Sequence, residues 1–259
     1  MSELIILTNI FLFIIIIIIF IYYNHMNKIC ISKPETFIYS AKNNPTDINI
    51  LIVGTTHGNE PVGYHAITDL MNLLNNNKLI LKKGTLTLVP VVNYCGFKKN
   101  TRNIFFFNDI NRQYYINTNS IINQSIIKLT ETSDFILDFH EGWGFHKIDN
   151  SSIGSTITPN NILNSLDVAQ LMKDAVNNTI NEDKKKFIIR TDNTELIKNV
   201  NEYSIKTTVS GTLASFLEKQ SKQYILIETS GQNMIQPLDL RVNQAIIFIN
   251  ELLKYYNMI

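Results

Sequence analysis

The sequence predicts an α/β fold in which helices cover a largely parallel sheet, with one transmembrane helix in front of it. Two observations predict the sheet. From residue 48 onward, short β-branched or aromatic runs alternate with stretches of helical pattern, and several of these runs end directly in polar side chains. Such alternation is typical of parallel strands joined by crossover helices. A third observation, an uncharged apolar run over residues 4–23, predicts the transmembrane helix.

The N-terminal run is long enough to cross a membrane. At 1.5 Å per residue, a helix over residues 4–23 spans a hydrocarbon core of about 30 Å. The run lacks the basic start and the small-residue cleavage site of a signal peptide, so we expect an uncleaved single-pass anchor over residues 1–24 and a membrane location. Lys28 and Lys33 follow the run and Glu3 precedes it, which favours the cytoplasmic side for the rest of the chain. Three glycosylation sequons, at Asn123, Asn150 and Asn177, would instead argue for the lumen, so the side is left open.

The remainder of the chain reads as a tether followed by one domain. Residues 25–46 are polar and contain two prolines, which indicates a tether with room for one edge strand. Residues 47–259 suit a single α/β domain with a large buried core. Its expected strands cover residues 48–53, 85–92, 135–139 and 223–228. Its expected helices cover residues 61–75, 119–131, 164–180, 211–220 and 243–253.

Charge and cysteine content exclude some functions. A net charge of +1 and a pI near 7.7 leave no basic face, so we expect no nucleic-acid partner. The two cysteines, Cys30 and Cys95, are too few for a disulfide framework. We expect two free thiols, with acylation of Cys30 beside the membrane segment as the alternative.

His57 and Glu60 are the most informative residues of the chain. They lie three residues apart in the turn after the run 50–53, where an imidazole and a carboxylate can converge on one divalent cation. His140, at the end of the run 135–139, supplies a third ligand. Two histidines and one glutamate, with a fourth position open, are the usual composition of a catalytic zinc site. Taken alone, His57 would read as a polar turn residue.

One further strand end and one loop carry candidate catalytic residues. Glu228 ends the run 223–228, where a carboxylate without a metal to bind can act as a general base; the alternative is a solvated strand-end glutamate. Arg102 and Arg112 are two of only four arginines and lie within one loop. A guanidinium fork binds carboxylates and oxyanions better than a lysine does, although a merely charged loop is the alternative.

The order of these parts resembles the zinc carboxypeptidase superfamily and, within it, the succinylglutamate desuccinylase and aspartoacylase branch. The resemblance covers about residues 48–232 and rests on four motifs: H-G-N-E at 57–60, Arg102 followed by D-x-N-R at 109–112, D-x-H at 138–140, and Glu228 at a strand end. It implies a three-layer helix–sheet–helix fold with a mixed, largely parallel sheet.

The resemblance also implies roles for these residues. Three of them, His57, Glu60 and His140, would bind one zinc ion. Glu228 would be the base that activates water.

The arginine loop would act on the substrate. Arg102 would stabilise the tetrahedral oxyanion, and Asn111 and Arg112 would hold a substrate carboxylate. Asp109 would orient the ring of His57, as a carboxylate partner of a ligating histidine does.

These roles predict a zinc hydrolase that cleaves an amide bond near a free carboxylate, of the type that deacylates N-acyl amino acids. Two alternatives remain open: a membrane-anchored carboxypeptidase acting on peptide C-termini, and a non-catalytic binding module that keeps the fold. The branch carries a β-rich extension after its catalytic glutamate, whereas residues 229–259 have room for one helix. The acyl-amino-acid substrates of the branch are therefore left open.

Overall fold

The computed structural model of the protein describes residues 2–104, 109–160, 162–190 and 210–259. Residues 105–108 of the arginine loop and residues 191–209 lie outside this part. The described helices are α1 (Ser2–Cys30), α2 (Val62–Asn75), α3 (Tyr94–Lys99), α4 (Ile121–Glu131), α5 (Leu163–Asn177), α6 (Leu213–Lys219) and α7 (Leu238–Tyr255). The described strands are β1 (Phe37–Ser40), β2 (Asn49–Val53), β3 (Thr85–Val89), β4 (Phe135–Gly142), β5 (Thr156–Pro159), β6 (Ile188–Ile189) and β7 (Gln223–Ser230).

The seven described strands form one mixed sheet in the order β1-β3-β2-β4-β7-β5-β6. The four central strands β3, β2, β4 and β7 are parallel to one another. By contrast, β1 runs antiparallel to β3, and β5 runs antiparallel to β7. The predicted α/β fold with a mixed, largely parallel sheet is therefore confirmed. Because the central strands are parallel, their carboxyl ends meet at one edge of the sheet.

Helices pack on both faces of the sheet. On β2, Ile50 and Ile52 face a core shared with α2, α5 and α7, while Leu51 and Val53 face a second core shared with α4 and α6. Successive side chains of a strand point to opposite faces, so a continuous apolar run is what a strand covered on both sides requires. Each fully buried aliphatic side chain contributes about 1.5–3 kcal/mol.

The predicted elements that carry site residues are present close to their expected bounds. The strands predicted over 48–53 and 135–139 correspond to β2 and β4, and the helix predicted over 243–253 lies within α7. Three elements were not predicted: the short helix α3 and the short strands β5 and β6. They are six, four and two residues long, which is too short to show a clear hydrophobic period.

The N-terminal segment departs from the sequence prediction. A helix does form there, and α1 continues to Cys30. A transmembrane helix needs about 20 consecutive apolar residues, and no helix in the described ranges combines the required length and apolarity. The predicted membrane location is therefore wrong, and the predicted transmembrane anchor and membrane partner have no support in the described helices.

The two cysteines also depart from the prediction of free thiols. Cys30 and Cys95 form a disulfide that joins the end of α1 to α3 across 65 residues of chain. A count of two cysteines carries no information about distance. Only the fold places the end of α1 beside α3, where both sulfur atoms are buried with their residues.

We expect Cys95→Ser to lower the free energy of unfolding by about 2–5 kcal/mol, because the cross-link removes conformational freedom from the unfolded chain. Urea unfolding of the oxidised wild type and the variant, followed by circular dichroism, measures the difference. The same comparison in excess reductant is the control and should show a much smaller difference. Equal stabilities without reductant would contradict the expectation.

Candidate metal centre

The candidate site lies where the central parallel strands end. His57 and Glu60 belong to the loop between β2 and α2, His140 lies in β4, and Glu228 lies in β7. The strand β4 pairs with both β2 and β7, and His140 is directly opposite Glu228 in the register. The ends of parallel strands are where α/β sheets bind ligands. The structure therefore brings these four predicted residues to one edge of the sheet.

Three donor atoms converge at this edge. The Nδ1 atom of His57 lies 2.9 Å from Glu60 Oε1 and 3.1 Å from Nδ1 of His140. The Nδ1 atom of His140 lies 2.9 Å from Glu60 Oε2. The three residues are 4%, 1% and 2% exposed in the order His57, Glu60, His140. They form the one group of three or more candidate ligands found in the described ranges.

The outer nitrogen of each histidine faces a carboxylate. His57 Nε2 lies 3.1 Å from Asp109 Oδ1, and His140 Nε2 lies 3.3 Å from Asp138 Oδ2. The hydrogen bond of His57 with Asp109 holds the proton on Nε2 and leaves the Nδ1 lone pair free for a metal. At His140 the negative charge of Asp138 favours a proton on Nε2 in the same way. Both lone pairs then point into the space shared with Glu60.

The spacing of the donors fits a small divalent cation. Two ligands bound at 2.0–2.1 Å to a tetrahedral zinc ion are about 3.3 Å apart, close to the 3.1 Å between the two Nδ1 atoms. Two neutral imidazole nitrogens at this distance repel each other unless a proton or a cation lies between them. The group of His57, Glu60 and His140 can therefore hold a metal ion.

Electrostatics around Glu60 also favour a cation. Burial by itself would raise the pKa of Glu60, but hydrogen bonds from His140 and His57 outweigh it and lower the pKa to about 2. Burial by itself would lower the pKa of His140, but the charge of Asp138 and the hydrogen bonds with Asp138 and Glu60 raise it well above its usual value. Glu60 is thus an anion that draws positive charge to the site.

The backbone of the loop holds the ligands in place. The N–H of Glu60 donates to the carbonyl oxygen of His57 at 3.1 Å, which closes a tight turn between them. Gly58 packs directly on α3: a Cβ atom there would lie 1.9 Å from the carbonyl carbon of Gly96. Only glycine allows this approach. Thr55, at the start of the loop, has a φ of 52°, a rare value for a β-branched residue and a sign of local strain.

Glu228 faces the same point from β7. Its Oε2 atom is shielded from solvent and has no hydrogen-bond partner among the described residues. Burial raises the pKa of Glu228 to about 8, against the opposing charge of His140. A carboxylate oxygen that is shielded from solvent and has no hydrogen-bond partner costs free energy, so the position of Glu228 beside the donor cluster indicates a functional group.

Arg102 links the loop to the cluster. Its Nε and Nη2 atoms donate to Asp109 Oδ2 at 3.1 and 2.9 Å, and its Nη1 atom lies 3.3 Å from Glu60 Oε1. These contacts use three of the five N–H groups of a guanidinium. The side chain is 40% exposed, so its remaining donors are accessible to a ligand.

Asp109 lies between Arg102 and His57. Burial by itself would raise its pKa, but the hydrogen bond with His57 and the charges of His57 and Arg102 lower it well below the usual value. Its Oδ1 atom also accepts the backbone N–H of Asn111 at 2.8 Å. The aspartate therefore joins the histidine ring to the arginine loop.

Asn111 and Arg112 lie in the single turn of helix that follows Asp109. The side-chain oxygen of Asn111 accepts the N–H of Leu213 at 2.9 Å, which fixes the start of α6. Arg112 Nη1 donates to the carbonyl oxygen of Asn111 at 2.6 Å. Within the described part of the chain each side chain thus makes one hydrogen bond, and their binding of a substrate carboxylate stays a prediction.

Sequence reasoning did not select several residues around the cluster. Asp138 receives a hydrogen bond of 3.1 Å from the Tyr224 hydroxyl group, and its signal was the first position of the D-x-H motif. Glu141, beside His140, forms a buried ion pair with Arg241 of α7. The sequence feature that could have indicated Glu141 is its carboxylate at a position that continues an apolar strand.

Comparisons with solved structures show the fold. The mDAP-bound form of Csd4 from Helicobacter pylori, described as a D,L-carboxypeptidase, superposes with a TM-score of 0.69 and 20% identity over 86% of this chain. The ectoine utilization protein EutE (DoeB) from Ruegeria pomeroyi superposes with a TM-score of 0.60 and 14% identity, covering 86% of this chain and 61% of that one. The chain spans about half of Csd4, 55% of its length.

Comparisons of sequence give the family. None of the curated proteins matches the chain significantly. The model of the succinylglutamate desuccinylase/aspartoacylase catalytic domain matches residues 46–253, which include every candidate site residue described above. The chain therefore belongs to the succinylglutamate desuccinylase/aspartoacylase catalytic-domain family.

Proposed function

We propose that the protein is a zinc-dependent hydrolase that cleaves an amide bond near a free carboxylate, with N-acyl amino acids as its substrates. The observation that carries this proposal is the convergence of His57, Glu60 and His140 beside Glu228, whose shielded Oε2 atom has no hydrogen-bond partner among the described residues. Ligands that hold a cation and a separate carboxylate that can move a proton are the two parts that metal-assisted hydrolysis needs. Membership of the family supports the reaction class.

The donor set favours zinc over the harder divalent cations. Zinc binds imidazole nitrogen and carboxylate oxygen in a site of three protein ligands with one open position. Calcium and magnesium prefer six or more oxygen ligands, whereas two of the three donors here are nitrogen atoms. When bound, zinc would lower the pKa of a water molecule and polarise the substrate carbonyl group.

Glu228 is proposed as the general base. It is opposite His140 on the neighbouring strand and its Oε2 atom has no competing partner among the described residues. Its carboxylate would accept a proton from the attacking water and return that proton to the leaving amine nitrogen. Positive charge in the site would lower the raised pKa of Glu228 and favour the ionised form that this step requires.

Arg102 is proposed to stabilise the negative charge that develops on the carbonyl oxygen. Its contacts with Asp109 and Glu60 fix the guanidinium plane before a substrate arrives. A donor that is already oriented costs no reorganisation during the reaction. Removal of one such donor from an oxyanion site typically lowers turnover about 10²–10³-fold.

Arg112 and Asn111 are proposed to bind the substrate carboxylate. Arg112 follows Asp109 by three residues, so its guanidinium is attached to the segment that orients His57. The planar guanidinium can bind a carboxylate through two hydrogen bonds. Under this proposal, the groups that recognise the substrate belong to the same loop as Asp109, the carboxylate that contacts His57.

A panel of substrates tests the proposal. Zinc-loaded protein is incubated with N-acetyl and N-succinyl amino acids and with di- and tripeptides, and the released amine is measured by mass spectrometry. We expect hydrolysis of the N-acyl amino acids. Cleavage of the peptides alone would assign a carboxypeptidase instead, the activity named for Csd4. Turnover of neither class by protein shown to contain zinc would indicate a non-catalytic binding module and overturn the proposal.

We expect the purified protein to bind one zinc ion per chain and Glu60→Ala to lose it, because Glu60 supplies the only anionic ligand of the three. Elemental analysis after dialysis against zinc-buffered solution measures the stoichiometry. His146→Ala is the matched control, since His146 lies after β4 and its ring nitrogen contacts the carbonyl oxygen of Ser152. Full zinc content in Glu60→Ala would remove Glu60 from the site.

We expect Glu228→Gln to keep its zinc and to lower kcat about 10²–10⁴-fold, the usual contribution of a general base. Steady-state kinetics with elemental analysis of the same sample separate proton transfer from metal binding. Glu218→Gln, an exposed position on α6, is the matched control and should match the wild type. A Glu228→Gln variant with near-normal kcat would exclude Glu228 as the base.

We expect Arg112→Lys to lower kcat/KM for a carboxylate substrate about tenfold or more, because lysine cannot form the bidentate contact. The amidated analogue of the same substrate serves as the control, and its turnover should change little. Equal losses on both compounds would assign Arg112 a structural role.

A further inference from the structure

A buried carboxylate lies on the face of β4 that is otherwise apolar. Side chains of this strand alternate between the two cores, and Phe135, Leu137 and Phe139 pack against α2 and α7. The next position on that face is Glu141, which is 1% exposed. It therefore points away from the face of His140 and into the layer formed by α2 and α7.

The charge of Glu141 is balanced from α7. Arg241 is 6% exposed and its Nη1 atom forms an ion pair with Glu141 Oε2. Its Nε atom donates to the carbonyl oxygen of Gln236 at 3.2 Å. A buried ion pair is weak evidence for stability, because apolar side chains of similar volume often serve the fold as well or better. Its presence beside a metal ligand calls for a different explanation.

The other hydrogen bonds described for Glu141 lead to Glu60. Its Oε1 atom accepts the N–H of Val62 at 2.7 Å, the first residue of α2 and two residues after Glu60. The helix α2 has Pro61 as its N-cap and no side-chain cap of its own. Glu141 therefore caps α2 from the strand β4, at the positive end of the helix dipole, where a carboxylate is stabilised.

The backbone of Glu141 holds Glu60 from the other side. Its N–H donates to Glu60 Oε2 at 3.1 Å, the oxygen that contacts His140. Its carbonyl oxygen accepts Gln232 Nε2 at 2.7 Å, and the same amide group lies 3.3 Å from Glu60 Oε1. Glu60 is thus held through its side chain and through the chain that immediately follows it.

We propose that Glu141, held by Arg241 and Gln232, is a positioning residue that orients the metal ligand Glu60 by capping α2. This inference rests on the proposed function, because it assigns Glu60 to a metal. In this arrangement Glu141 keeps a carboxylate oxygen within hydrogen-bond distance of the N–H of Val62. The ion pair with Arg241 offsets the free-energy cost of burying that carboxylate. Groups that orient metal ligands typically change metal affinity 10–100-fold when they are removed.

Two double variants isolate the acceptor at position 141. Both remove the ion pair and leave the same net charge: Glu141→Leu with Arg241→Met, and Glu141→Gln with Arg241→Met. The glutamine keeps an oxygen for the Val62 N–H and the leucine does not. Zinc dissociation constants come from competition with a chromophoric chelator, and thermal unfolding of the zinc-free proteins reports the fold alone.

We expect the leucine variant to bind zinc at least tenfold more weakly than the wild type and the glutamine variant to stay within about threefold. Gln244→Leu, which replaces another buried polar residue of α7, is the control and should bind zinc as the wild type does. Equal zinc affinities of the two double variants, with only their unfolding temperatures changed, would make the pair merely structural and overturn this inference alone. A wild type that binds no zinc would overturn the proposed function as well.

If the leucine variant does not fold, Gln232→Leu provides a second test. Gln232 is partly exposed, and its loss removes the amide group that bridges Glu141 and Glu60. We expect zinc affinity to fall threefold or more with little change in the unfolding temperature of the zinc-free protein. Unchanged zinc affinity in a folded Gln232→Leu variant would contradict the positioning role.

Discussion

The convergence of two buried imidazole nitrogens and one carboxylate is the constraint on which the rest of the site depends. The Nδ1 atoms of His57 and His140 are 3.1 Å apart, and each lies 2.9 Å from a carboxylate oxygen of Glu60. Two imidazole nitrogens this close repel each other without a proton or a cation. The parallel order of β2, β4 and β7 brings the histidines and Glu228 to one edge. The close approach of Gly58 to α3 then fixes the position of the loop that carries His57 and Glu60.

Charge balance explains how so many ionisable groups share this edge. Five carboxyl groups and two guanidinium groups lie in or next to the cluster. The carboxyl groups belong to Glu60, Asp109, Asp138, Glu141 and Glu228, and the guanidinium groups to Arg102 and Arg241. Buried charges are costly unless they are paired, and the carboxyl groups outnumber the arginines. The raised pKa values of His140 and Glu228 favour protonation, which reduces the excess of negative charge in the metal-free protein. A bound divalent cation would reduce that imbalance, which is the electrostatic reason that the cluster suits a metal.

The sequence predicted the strands that carry the site and missed elements elsewhere. The strands β2 and β4 are buried on both faces, so their side chains form continuous apolar runs that can be recognised without a partner. The two-residue strand β6 is defined by its pairing with β5 rather than by any pattern of its own. The anchor predicted over residues 1–24 has no support in the described helices. The disulfide of Cys30 and Cys95 depended on a packing that no local pattern encodes.

The sequence by itself determined the types of donor and their positions at strand ends, because both follow from local order along the chain. His57 and Glu60 are three residues apart and His140 directly follows an apolar run, so their convergence could be expected. Only the tertiary structure decided which carboxylate pairs with which histidine or arginine. Glu141 is adjacent to His140 in sequence, yet alternation of side chains sends it to the opposite face, where it meets Arg241 from 100 residues away. Such pairings depend on the packing of helices against the sheet, and the distance along the chain does not reveal them.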